Sequence, residues 1–242
     1  FTPTLSYRYN GADIRLANAN GSAAVLLVRL PIAQGLTASV TQLAMAPLSL
    51  RQVAFVDLSS GVSESVRIVS WTQTTPGGPL TVTLDPSPLF TIPASPPARI
   101  SSLTYSPDAS KLAVVSNVDG QNNEVRVFDV ASRTQIGDAI PLVQYGHVVR
   151  WRAFDDSLLL RGSTGVWMLK DGVQTKLFAD PQGLPFDTFN GASAEAVFRF
   201  HDARGNTIQR WDGVTGNAGQ AAFVQLVPNG IDPSISCDNG RM

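Results

Sequence analysis

Charge is scarce in this sequence. Only 15% of its 242 residues are Asp, Glu, Lys or Arg, against about 25% in ordinary soluble domains. The 18 basic residues nearly cancel the 19 acidic ones, for a net charge of -1. Such a balance leaves no basic footprint for DNA or RNA and no polybasic run to hold an anionic membrane. Cysteine is scarcer still: with Cys237 alone, an intramolecular disulfide framework and a cysteine-rich zinc site are both excluded. No apolar run approaches the roughly 18 residues of a membrane helix. The most apolar stretch, Ala23–Ala33, is interrupted by Arg29 and Pro31, so no direct membrane insertion is expected. Helical periodicity is missing throughout. The chain starts at Phe1 without a signal-peptide pattern, and reads as a processed or trimmed part of a longer protein.

What is present is a repeat. Hydrophobic residues reach 43%, and a chain of this length buries a substantial core as one domain, here residues 1–242. Five units overlay on one another, with the period of about 40–50 residues expected of a four-stranded blade. The second unit runs from Val40 to Val56 and continues through Ser65–Trp71. The third is Ile100–Val115 followed by Glu124–Val130, and the fourth is His147–Gly162 followed by Gly165–Gly172. The fifth is Phe186–Phe200 followed by Ile208–Asn217. The first is split: Asp232–Met242 opens it and Phe1 to Leu30 completes it.

Within a unit, a short apolar strand ends in a tight turn, as at Ala46-Pro47, Ser106-Pro107-Asp108, Phe154-Asp155-Asp156 or Gly191-Ala192-Ser193. A run that is apolar almost throughout follows, as a strand packed on both faces requires. A Gly- or Asn-containing hairpin then leads to an alternating strand such as Val125–Val130. The Pro- and Gly-rich segment Thr72–Ala98 has the look of a linker, but Leu80–Asp85 alternates like a strand and is expected to form an outer blade edge. The pattern predicts an all-β propeller of about five four-stranded blades, with six as the alternative. Its ring is expected to close where the terminal strands share one blade.

The units resemble the TolB-type, WD-like propeller repeat of bacterial proteins. The resemblance rests on Ser106–Val115 with Glu124–Val130, on Asp232–Met242, and on Ala12–Ser22 with its Asn-Gly-Ser ending. Phe128-Asp129 and Trp211-Asp212 are similar to the strand-end dipeptide of WD repeats. The pattern is departed from at Leu48, where Asp is usual, at Cys237, where Pro is usual, and in the fifth unit, which lacks the Ser-Pro-Asp turn. The resemblance implies a periplasmic or extracellular, envelope-associated platform that binds a protein partner, without catalysis or cofactor. The same repeat builds the propeller of prolyl-oligopeptidase-type peptidases, whose Gly-x-Ser-x-Gly elbow does not occur in this chain.

Candidate chemistry is sparse. Of two histidines, His201 follows an apolar strand and reads as a turn residue, while His147 opens the fourth unit's inner strand and faces either the channel or the core. Asp155, Asp156, Asp187 and Asp232 lie beside inner strands, where the acid and base of a glycan-cleaving propeller would stand. Capping of turns is their simpler role. A carbohydrate-binding or glycan-cleaving propeller is thus the second functional reading and a structural spacer the third. Asn117–Glu124 offers oxygen ligands, but its glycine is misplaced for a calcium loop. Asn20-Gly21-Ser22 matches a glycosylation acceptor and, more simply, a hairpin turn. Arg150, Trp151 and Arg152 are the candidate partner-binding cluster together with His147. On a strand the two arginines share one face toward the channel mouth and Trp151 points between blades.

Overall fold

The computed structural model describes residues 5–9, 11–18, 24–46, 50–75, 78–93, 99–117, 122–142, 148–153, 155–162, 165–178, 184–188, 196–202, 205–211 and 224–228. Their regular structure is β-strand, apart from a single 3-10 position at Leu50. The strands form five antiparallel meanders in chain order. The first contains β1 (Leu5–Tyr9), β2 (Asp13–Asn18) and β3 (Val25–Arg29). The second contains β4 (Val40–Met45), β5 (Gln52–Asp57), β6 (Ser63–Gln73), β7 (Leu80–Leu84) and β8 (Phe90–Pro93). The third runs β9 (Arg99–Tyr105), β10 (Lys111–Asn117), β11 (Asn123–Asp129), β12 (Gln135–Pro141), and the fourth β13 (Val148–Trp151), β14 (Leu158–Gly162), β15 (Gly165–Lys170), β16 (Val173–Phe178). The fifth is β17 (Leu184–Thr188), β18 (Ala196–Asp202), β19 (Gly205–Trp211) and β20 (Val224–Pro228).

The first strand of each later meander packs beside the first strand of the next. Thus β9 lies against β4 on one side and β13 on the other, and β13 lies against β17. These inner strands succeed one another as they do around the axis of a propeller. The second strands explain why the sequence runs apolar without alternation. Along β10, Leu112 and Val114 enter the core shared with the second meander, while Ala113 and Val115 enter the core shared with the fourth. In β5, Ala54 and Val56 face the third meander, while Val53 and Phe55 face the first. A strand between two sheets buries both of its faces, so both parities must be apolar.

The Pro- and Gly-rich segment is a blade edge, as Leu80–Asp85 foretold. The long strand β6 takes β7 along its later half, from Val69↔Leu84 to Gln73↔Leu80, and β8 along its earlier half, from Ser63↔Pro93 to Val66↔Phe90. Two short strands thus share one outer edge. The expected closing segment Asp232–Met242, with Cys237, lies outside the described residues, as do residues 19–23 and 189–195, where the sequence leads one to expect turns.

Candidate functional site

An antiparallel meander places its first and third turns on the same side of the sheet. The turns that follow the inner strands therefore gather on one face of the molecule. All three described examples close with the same kind of bond: Ala46 N–H to Gln52 O at 3.0 Å, Ser106 N–H to Lys111 O at 2.9 Å, and Arg152 N–H to Ser157 O at 2.8 Å. In the third meander Asp108 organises the turn. Its Oδ1 accepts from Ser106 Oγ at 2.6 Å, the Ser110 N–H at 3.0 Å and Ser110 Oγ at 2.9 Å. The Ser106 hydroxyl and these Ser110 donors hold the carboxyl down to about 2, because they favour its charged form. Ala109, beside it, adopts a left-handed φ of 53°.

Between the second and third meanders this face opens into a cleft of about 490 Å³. The second meander contributes Leu50, Gln52, Ile68, Ser70 and Asp85; the third contributes the Asp108–Ser110 turn and the Val130–Arg133 turn. Arg133, at φ 62°, crosses the cleft and bonds both the Asp85 carboxylate and the Ser87 carbonyl. Beneath lies the apolar core that the two meanders share, with Ala54, Ile68, Tyr105 and Leu112 among its members. Two polar atoms here are buried without a hydrogen-bond partner: Gln52 Oε1 in the cleft lining and the Tyr105 hydroxyl in the core. Burial, and secondarily the Asp85 charge, push the Tyr105 phenol well above its ordinary range.

The candidate cluster of the fourth meander occupies its inner strand and the turn that follows. Trp151 is buried in the core shared with the third meander, beside Ala113, Val115 and Val125. Its indole N–H donates to Asp156 Oδ1 at 2.6 Å, and Lys111 Nζ sits 5.7 Å from its ring centroid while bonding Asp156 Oδ2 at 3.0 Å. Arg150 is half-buried, its Nη1 donating to the Val149 carbonyl at 2.9 Å. Arg152 lies one residue past the end of β13 and is only 3% exposed. Its Nε is 3.5 Å from Asp155 Oδ1 and its Nη1 contacts Met168 Sδ at 3.5 Å. Burial lowers the Arg152 pKa, and the Asp155 charge opposes that. The two guanidinium groups therefore stand in different surroundings. His147 lies outside the described residues.

Of the four aspartates considered for glycan chemistry, Asp155 accepts from Ser157 Oγ at 2.7 Å and pairs with Arg152 and Lys170. Asp156 is held by Trp151 and Lys111, Asp187 lies on β17, and Asp232 falls outside the described residues. His201 lies on β18. In the oxygen-rich hairpin, residues 118–121 lie outside the described residues, and Glu124 pairs with Arg126 at 2.6 Å. Among the described residues no three His, Cys, Asp or Glu side chains gather for a metal ion. Among the same residues no helix is long and apolar enough to cross a membrane. Sequence reasoning missed the cleft residues Gln52, Asp85 and Arg133. The one local signal was Asp85 itself, ending an alternating strand.

No family model and no curated protein matches this chain. Solved structures do. TolB from Acinetobacter baumannii superposes with a TM-score of 0.63 at 14% identity, over 97% of this chain and 55% of TolB. The β-propeller domain of the Trilobed protease from Pyrococcus furiosus gives 0.57 at 13% identity, over 91% of this chain and 66% of that one. A chain of a nidogen/laminin complex gives 0.57 at 14%, over 91% and 76%. The chain thus spans about half the length of TolB. Its meanders, their inner-strand succession and these superpositions together assign it a β-propeller fold of the TolB-like kind.

Proposed function

We propose that residues 1–242 form a single propeller domain acting as a non-catalytic protein-binding platform in a larger, envelope-associated protein. The observation that carries this reading is the state of the turn-face carboxylates. Asp85, Asp108, Asp155 and Asp156 each accept hydrogen bonds from named neighbours that hold a turn or join two blades. An acid-base pair needs one carboxyl with a raised pKa facing an ionised one across a substrate; capped and paired carboxylates suit scaffolding instead. TolB, an A. baumannii protein, and a nidogen/laminin complex are among the similar structures, which supports a partner that is itself a protein. Arg150, half-buried on the inner strand of the fourth blade, belongs to the proposed contact face, while Trp151 packs behind it in the core between the third and fourth blades. Arg152 positions the Asp155 turn beside them.

The test is capture. The purified domain, immobilised, is expected to retain a specific protein from envelope extract and to release nothing from a glycan substrate panel. Loss of that protein with Arg150→Ala would place the contact on the fourth blade. Sugar binding or glycan turnover without protein capture would replace this reading with the carbohydrate one.

A further inference from the structure

We propose that an extended, acidic segment of a partner protein adds as a strand to the outer edge of the first blade, along β3. This deepens the platform reading and rests on it. Among the described strands β3 pairs with β2 alone, so its other edge is open to a further strand. The outer edges of the next three blades are guarded. In the second blade the edge is divided between β7 and β8; in the third, β12 holds Gly137, Asp138 and Pro141; in the fourth, β16 holds Lys176. The sequence of β3, Val-Leu-Leu-Val-Arg, has no proline, glycine or charge before Arg29, and Val25 and Leu26 are exposed.

Charge selects the occupant. In residues 1–39 the basic side chains are Arg8, Arg15 and Arg29, and the one acid is Asp13. The register gathers all four. Arg8 stands directly opposite Arg15, and Asp13 opposite Arg29, while alternation puts Asp13 and Arg15 on one face of β2. Ile14 and Leu16 take the other face into the core shared with the second blade, so the charged face looks away from it. Asp13 Oδ2 accepts from Arg15 Nη2 at 2.9 Å and Arg29 Nη2 at 2.8 Å, and Oδ1 from Arg29 Nε at 2.7 Å. One buried carboxylate thus fixes two guanidinium groups that remain 40% and 63% exposed. It balances only one of them, and like charges placed directly opposite, as Arg8 and Arg15 are, cost stability. Carboxylates arriving on a strand beside β3 supply the missing negative charge. A second copy of the chain would bring the same arginines to the edge, and an uncharged segment would leave them unmatched.

The experiment titrates the full chain with blocked hexapeptides and reads affinity by calorimetry and location by hydrogen exchange. The probe is Thr-Glu-Val-Glu-Val-Thr, whose two Glu side chains share one face when extended. Its controls replace both Glu by Gln, replace both by Lys, or methylate the four central backbone nitrogens. The Glu peptide is expected to bind saturably and to slow exchange in Val25–Arg29. The Gln peptide should bind about tenfold more weakly at low ionic strength, with the gap narrowing as salt is added. The Lys and methylated peptides should not bind. Two variants test the site: Leu26→Glu sets a carboxylate opposite Arg15 on the exposed edge, and Arg15→Gln removes one cation while Arg29 still holds Asp13. Each is expected to weaken the Glu peptide tenfold or more, and if one fails to fold the other decides. Equal binding of the Gln or methylated peptide, protection confined to other blades, or undiminished binding in a folded variant would overturn the proposal. So would self-association lost in Leu26→Glu without binding of the Glu peptide, which gives the edge to a second copy. A captured protein retained equally by Leu26→Glu overturns the edge site and leaves the platform standing. Glu-peptide binding at β3 with no protein captured supports the edge site and overturns the platform.

Discussion

The carboxylate of Glu64, on β6, accepts the backbone N–H of Ile100, on β9, at 2.6 Å. One buried side chain thus ties the second blade to the inner strand of the third. The neighbouring joint is made in the same way, with the Val149 N–H donating to Ser102 Oγ at 3.2 Å. Between the first and second blades the main chain takes this part: Gly11 O accepts from the Val40 N–H at 3.1 Å and also from the Ser39 N–H, and the Ser39 hydroxyl donates to the Pro31 carbonyl at 2.5 Å.

Glu64 predicts a pH dependence. Burial raises its pKa above the ordinary 4.5, and the Ile100 N–H and the Arg99 charge only partly oppose that. The folded state then holds a proton that the unfolded state has released, so Glu64 costs stability as pH rises from 4.5 through its raised pKa. Glu64→Gln, whose Oε1 still accepts from Ile100, should flatten this part of the profile. Thermal melts of both proteins between pH 4 and 8 check it; parallel profiles would contradict it.

Asp108 acts with the opposite sign. Its carboxyl is held near 2, below the ordinary 3.8, chiefly by the Ser106 hydroxyl and then by Ser110. The stability it contributes is complete above pH 3.8 and is lost as pH falls toward 2. Asp108→Asn should therefore lower the Tm at neutral pH, and the gap to the parent should close on acidification across that window.

Phe55 is fully buried in the core between the first and second blades. Phe55→Ala is expected to cost about 3–5 kcal/mol, the lost transfer energy plus the cavity left behind. Val62, 75% exposed, serves as the control: Val62→Ser should change stability by less than about 0.5 kcal/mol. Urea denaturation measures both.

Gly11 holds a left-handed φ of 88°, and a Cβ there would stand 3.2 Å from Ala38 Cβ and 3.3 Å from Thr37 O. Gly11→Ala should destabilise by about 1–2 kcal/mol from the backbone conformation alone, with the crowding adding to it. A Tm unchanged from the parent would show that this joint does not hold the first blade to the second.

How much of this was legible in the sequence follows from the range of the interactions. The Ser106–Lys111 turn is closed by groups within five residues of one another, so Ser-Pro-Asp announces it. The apolar runs Val53–Val56 and Leu112–Val115 announce strands buried on both faces, because no half-exposed strand needs both parities apolar. Arg150 and Arg152 show where alternation fails: β13 ends at Trp151, and Arg152 enters a turn where no period of two applies.

Local patterning by itself therefore determined that the chain is all-β, where its repeats begin and which strands lie between sheets, since turn chemistry and parity act over a few residues. Only the tertiary structure decided which side chains meet between blades. Glu64 and Ile100 are 36 positions apart, and Arg133 and Asp85 are 48 apart. Their contact is set by the stacking and twist of neighbouring sheets, which no local pattern encodes. The cleft between the second and third blades exists for that same reason.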